Sequence, residues 1–222
     1  DGDIGTSPVF DLNFGAASID LTPVFEASLE FRRINAVGQL DLDARRLAFS
    51  RLALRPGAEG NFGLDLSGEI RSATDGLSLL RVEGEATDTL GAEDLLALWP
   101  EKFADGARRW IERSVLAGEI DKLAFNVDLD EAFFSDPVLT PERLSVDYAI
   151  SNGTVRYIST MTPLTDAFGS GRFIGNMLYL DLASGRIGDG VLTGGRGDIP
   201  QLMPKGGDIL SKRRRKRRRP LC

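Results

Sequence analysis

The sequence predicts a mainly β protein: an antiparallel sheet interrupted by a helical insert near residues 93–117. Three observations predict it. Apolar and polar residues alternate through most of the chain, the pattern of strands with one dry face and one wet face. Turn-forming pairs such as Pro56-Gly57, Asp75-Gly76, Asn152-Gly153 and Gly175-Asn176 separate the alternating runs. One block, residues 99–113, repeats its apolar residues at helical steps instead.

The first 25 residues are polar and turn-rich, with a short strand expected near residues 17–21. Alternation then becomes clear in Ala36-Val37-Gly38-Gln39-Leu40-Asp41-Leu42-Asp43, which sets Leu40 and Leu42 on one face and Asp41 and Asp43 on the other. Two short strands are expected at residues 46–50 and 51–54. After the Pro56-Gly57 turn, residues 62–70 alternate again, and Asp75-Gly76 turns into a strand over residues 79–85. A form apolar-Gly-x-apolar-x-apolar recurs loosely, without a fixed period. Short strands spaced by turn residues are compatible with a meander, a sandwich or a solenoid-like sheet.

The helical insert is expected as two helices. Proline disfavours helical geometry at the residue before it, which breaks the pattern at Trp99-Pro100. Glu93 and Asp94 suit the first turn of the earlier helix, where acidic side chains favour the dipole. Pro100 fits the first turn of the later one, where its missing N–H costs nothing. Phe103, Ala107, Trp110, Ile111 and Ser114 then share one face, and Gly118 fits the position just past the C-terminus. Such a helix in a β-rich chain has to lie against a sheet or plug its end.

Strands resume with Leu123, Phe125, Val127 and Leu129 alternating, then Leu144, Val146, Tyr148 and Ile150. Asn152-Gly153 is the strongest hairpin signal of the chain, because both residues tolerate positive φ; it is expected to join residues 148–151 to 154–157. Gly175-Asn176 is expected to turn between residues 171–174 and 177–182. Ser184-Gly185 and Asp189-Gly190 are expected to turn again before Val191.

Composition bounds the function. At 222 residues and 42% hydrophobic, the chain can bury a core, and 25 glycines imply many turns or bulges. No run approaches the ~18–20 apolar residues of a membrane span. The chain starts at Asp1 and shows no signal peptide, so it reads as a fragment with any targeting segment upstream. The single cysteine is Cys222 and histidine is absent, which excludes a disulfide framework, His-based triads and nearly all transition-metal sites. No cofactor is expected. The net charge of −6 hides two chemistries, because residues 212–219 are eight consecutive Lys and Arg. Removing these eight leaves 19 of the 27 basic residues against 33 acidic ones, a balance of −14. The body is therefore a poor surface for nucleic acid or anionic lipid. The tail reads as an artificial end, a disordered segment or a phosphate-binding patch.

Asp41, Asp43, Asp65, Glu83, Glu85, Asp128 and Asp130 fall on the wet side of the strands and read as a solvated face. Asn152-Gly153-Thr154 matches a glycosylation acceptor that the turn already explains, Arg196-Gly197-Asp198 reads as a chance tripeptide, and Gly194-Gly195-Arg196-Gly197 lacks the helix and lysine of a phosphate loop. No catalytic constellation emerges, and the chain is expected not to be an enzyme. What remains is shape: an apolar sheet face that closes on itself as a core or curls around apolar molecules.

Trp99-Pro100, then Ala107-Arg108-Arg109-Trp110-Ile111-Glu112 and the Gly118-Glu119-Ile120 exit, resemble the central helical block of bacterial AsmA-like proteins, the group related to TamB and YhdP. Gly153-Thr154-Val155-Arg156-Tyr157, Thr162-Pro163-Leu164, Gly169-Ser170-Gly171-Arg172-Phe173 and Gly190-Val191-Leu192 resemble the same family, over about residues 35–200. The basic tail departs from that pattern. The resemblance implies an extended curved antiparallel sheet, a β-groove, in a periplasmic protein anchored in the inner membrane by an N-terminal helix outside this segment. It implies phospholipid acyl chains as cargo between the inner and outer membranes, membrane proteins as partners, and no catalytic role. Leu64, Leu66, Phe125, Val127, Val146, Tyr148, Val155 and Tyr157 are then candidates for the groove or core face. Five segments are expected: 1–35, a partial strand region; 36–90, a first β segment; 91–118, the helical insert; 119–204, a second β segment; and 205–222, the tail. Two other functions remain open, an exported structural or adhesive β module and, third, a carbohydrate-active enzyme working through paired carboxylates.

Overall fold

The computed structural model describes residues 8–20, 28–57, 62–74, 76–99, 105–158 and 160–201. The chain forms one antiparallel sheet of 13 strands, and the sheet is not closed. In chain order the strands are β1 Val9–Phe14, β2 Ala17–Ile19, β3 Leu29–Asp41, β4 Arg46–Pro56, β5 Gly63–Ala73, β6 Gly76–Thr87 and β7 Leu90–Gly91. The helices α1 Ala92–Ala97 and α2 Asp105–Ser114 follow, then β8 Val115–Asp130 and the short helix α3 Glu131–Ser135. The chain returns through β9 Leu144–Val155, β10 Leu164–Ile174, β11 Met177–Ile187, β12 Gly190–Leu192 and β13 Gly195–Ile199.

The spatial order is β1-β3-β4-β5-β6-β8-β9-β10-β11-β12, with β2 on β3, β7 on β8 and β13 on β11. Neighbours in sequence are mostly neighbours in space, so the fold is a long meander. The segments on either side of the helical insert belong to the same sheet, and β3 runs through the boundary expected at residue 35.

The local signals explain most elements. Gly175, with φ +57, turns β10 into β11, and Gly188, with φ +58, turns β11 into β12. Asp94 accepts from the Gly91 backbone N–H at 3.0 Å, which fixes the start of α1. Asp130 caps α3 by accepting the Phe133 N–H at 3.0 Å. That bond, followed by Arg143 at 2.9 Å, holds the Asp130 carboxyl below the usual carboxylate range.

Several expectations need correction. Residues 46–54 form one strand, β4, with a register shift between Phe49 and Leu52. Asn152-Gly153 is not a hairpin turn but lies inside β9, which stays paired with β8 and β10 on both sides of it. Asn152 does take positive φ, +53, but it uses it in a bulge. Gly118 does not end a helix. α2 runs directly into β8 at Val115, and Gly118, with φ +140, forms the facing bulge, where an added Cβ would lie 3.0 Å from Gly153 Cα. Ser184-Gly185 lies inside β11 and turns nothing.

In α2, Ser114 is buried and Ile111 half-buried, but Trp110 is 41% exposed and does not join them. Both α1 and α2 lie against the start of β8, and Leu90, 1% exposed, is buried in β7 beside α1. Pro100, Phe103 and the tail at 212–219 lie outside the described residues. Among the described residues, no helix is long and apolar enough to cross a membrane.

Candidate functional site

The candidate site is the apolar face of the sheet, and the strand register builds it. Directly opposed residues of an antiparallel pair point to the same face, and residues two apart along a strand do too. Following the register from β1 to β13 gives one row: Leu12, Ala36, Leu52, Leu66, Gly84, Phe125, Val146, Phe173, Leu178 and Ile199. The row contains no polar side chain. At about 4.8 Å per strand it runs roughly 40 Å across the sheet. A second row lies beside it: Phe10, Gly38, Phe49, Gly68, Val82, Val127 and Leu144. A third holds Leu40, Leu47, Ile70, Leu80 and Leu129.

Backbones approach closely on this face at two glycines. A Cβ added to Gly38 would lie 3.1 Å from Phe49 Cα, and one added to Gly68 would lie 3.0 Å from Val82 Cα. Both positions adjoin register shifts of β4 with its neighbours, so glycine admits the bulged backbone there.

The face is not closed over. Of the first row, Leu178 is buried and Leu12 is 42% exposed, while the other eight residues are half-buried. Facing positions of a closed sandwich would be buried by the opposite sheet. Buried apolar side chains do occur on this face, with Phe49 and Leu144 in the second row and Leu129 in the third, and others such as Leu90 and Ala167 are spread along the sheet.

The opposite face is charged and internally neutralised. Arg46 and Arg71 stand opposite each other and share Glu69, at 2.9 and 2.8 Å. The Arg46 hydrogen bond, with Arg71 adding to it, holds the Glu69 carboxyl below the usual carboxylate range against the opposing effect of burial. Arg81 grips Asp128 through two bonds, at 2.9 and 3.2 Å. Arg172 pairs with Asp147, and Arg196 with Asp181 at 2.8 Å. Asp65 accepts from Arg55 at 3.1 Å. Of the acidic residues expected on the wet side, Asp65 and Asp128 serve as cross-strand partners.

Seven of the eight candidate groove residues fall on the apolar face. Leu66, Phe125 and Val146 lie in the first row and Val127 in the second, while Leu64 stands opposite Leu54 and Ala86. Val155 follows the β9 bulge and stands opposite Val115 and Leu164. Tyr148 stands opposite Leu123 and Gly171 and lies 5.9 Å, ring to ring, from Phe173. Burial pushes its phenol up to about 12. Tyr157 lies past the end of β9, 38% exposed, and belongs to no row. The alternation also marks Phe49, Val82, Phe173 and Leu178, which extend the face.

Among the described residues, no group of three or more acidic, histidine or cysteine side chains is arranged to hold a metal ion. The fold and face together define a class: an open antiparallel β sheet, apolar on one face and ion-paired on the other. The chain matches no protein-family model, no curated protein and no solved structure.

Proposed function

We propose that this chain is a non-enzymatic segment of an AsmA-like periplasmic protein, and that its apolar face carries phospholipid acyl chains between the inner and outer membranes. The observation that supports this reading is the unbroken apolar row from Leu12 to Ile199, half-buried along nearly its whole length. Apolar surface on this scale gains free energy when it leaves water, at roughly 25 cal/mol per Å². An acyl chain spans about half of the ~30 Å hydrocarbon core of a bilayer. The row is longer than that, so a chain has room to lie along it and to move from strand to strand. The phosphate headgroup stays at the open side, in water. An inner-membrane anchor belongs, on this reading, to sequence outside this segment.

The experiment is native mass spectrometry of the purified chain, with organic extraction of bound lipid. Co-purifying phospholipid that falls at least tenfold in a folded Val127→Asp/Val155→Asp variant supports the proposal. A lipid-free chain after membrane extraction, or lipid retained by the variant, contradicts it.

A second reading, an exported β module acting through protein contacts, is favoured by the end strands β1 and β12, which among the described residues pair on one side only. Val9 on β1 is 76% exposed and Val191 on β12 is 65% exposed. Unpaired edge strands can add a strand from another chain.

A further inference from the structure

The ion-paired face carries one cluster of cations that its acids do not balance. In β3, Phe31 stands opposite Pro56 and Arg33 opposite Arg55, so Arg32 is an extra residue in the ladder. Such a bulge redirects neighbouring side chains that alternation would send to opposite faces. Arg32, Arg33 and Arg55 line one open pocket of about 320 Å³.

Arg55 is held in place. Its Nη1 donates to Asp65 Oδ1 at 3.1 Å and to the Leu54 carbonyl at 2.9 Å. Its guanidinium lies over Gly63, where any Cβ would collide with it. Arg32 and Arg33 are exposed, and among the described residues neither forms an ion pair. Four other arginines of this chain, Arg46, Arg81, Arg172 and Arg196, each meet a carboxylate across the strands, and Arg71 meets Glu69 on its own strand. Among the described residues, Asp65 is the carboxylate that pairs with this cluster; three guanidinium groups against it repel one another, and an anion between them relieves that repulsion. The planar donor fork of arginine fits the oxygens of a phosphate group two at a time. In a body that is strongly acidic overall, such a pocket also concentrates anions where the rest of the surface repels them.

We propose that Arg32, Arg33 and Arg55 form a binding site for a phosphate group, supplied either as free phosphate or as the phosphodiester of a headgroup. Arg33 and Arg55 adjoin Ile34 and Leu54, which point to the apolar face, so the site lies on the other side of the sheet from the proposed lipid path. It stands independently of that path.

The test is an NMR titration of the full chain with inorganic phosphate at low ionic strength, following the side-chain Nε–H signals of Arg33 and Arg55. These signals separate the pocket from any binding at the basic tail. A parallel titration uses a water-soluble short-chain phosphatidylglycerol. Saturable shifts at both arginines, weakened at least tenfold in Arg32→Gln and unchanged in Arg196→Gln, support the site. The tighter of the two ligands identifies the source of the phosphate. Phosphate binding that persists in Val127→Asp separates this site from the apolar face. No saturable shift at Arg33 and Arg55, or equal affinity in Arg32→Gln with its amide spectrum intact outside β3, overturns the proposal.

Discussion

Tyr148 of β9 lies across Gly171 of β10, its ring and hydroxyl filling the space that a Cβ on residue 171 would need. An aromatic residue opposite a glycine covers backbone that would otherwise be bare, and the missing side chain gives the ring its place. Phe125 opposite Gly84 and Phe10 opposite Gly38 repeat the arrangement. The apolar face is therefore assembled from cross-strand pairs of unequal size.

Replacing Gly171 by Ala or Val should displace the Tyr148 ring. The expected cost is about 1–3 kcal/mol, the range for overpacking, measured by chemical denaturation. A neutral Gly171→Val variant would show that the ring is not seated there.

Tyr148 should titrate near 12, followed by its ultraviolet absorbance on raising pH. The folded pKa lies above the unfolded value of about 10. The folded state therefore holds the proton more tightly, and this contribution to stability is complete below about pH 10. It is lost as pH rises from there toward 12. Tyr148→Phe should remove that alkaline slope while leaving stability near neutral pH almost unchanged.

Glu69 behaves with the opposite sign. Its carboxyl is held low by Arg46 and Arg71, so its contribution is present above the unfolded carboxylate range and is lost as pH falls through the folded value. Glu69→Gln should unfold more easily than the parent at neutral pH, and the difference should shrink toward zero in acid. A constant difference across the range would contradict the pairing.

Two leucines on the same face should differ sharply. Leu129 is 3% exposed and Leu180 38% exposed. Leu129→Ala should cost about 2–5 kcal/mol, as for a filled core position. Leu180→Ala should cost under about 1 kcal/mol in the absence of lipid. Similar large costs at both would mean that the face is covered throughout.

Asn152 takes φ +53 inside β9 and its Nδ2 donates to Glu119 Oε2 at 3.4 Å. Asn152→Val should cost roughly 1–2 kcal/mol, the penalty for a branched residue in the left-handed region, and Asn152→Gly should be close to neutral. Equal stability of the two variants would place the bulge elsewhere.

Period-two alternation made the sheet and its apolar face legible, because side-chain direction is a local property of a strand. Leu64, Leu66, Phe125, Val127, Val146, Tyr148 and Val155 were readable for that reason. Asn152-Gly153 misled because positive φ serves a bulge as well as a hairpin, and only the pairing of β9 with both neighbours separates the two. Trp110 misled because a helical stripe does not say which part of it meets the sheet. The Arg32–Arg33–Arg55 cluster was missed. The adjacent Arg32 and Arg33 break the alternation of β3, which was the available signal, but Arg55 joins them only through the register of β4.

The proposed function puts lipid on one face of this sheet and not on the other. Phe125 and Asn126 are neighbours in β8 that point to opposite faces. The most direct measurement is photo-crosslinking in cells, with p-benzoylphenylalanine placed at residue 125 or at residue 126. A phospholipid adduct from position 125 and none from position 126 is the predicted result. Adducts of equal yield from both positions, or an adduct from 126 alone, would rule out a one-sided lipid path.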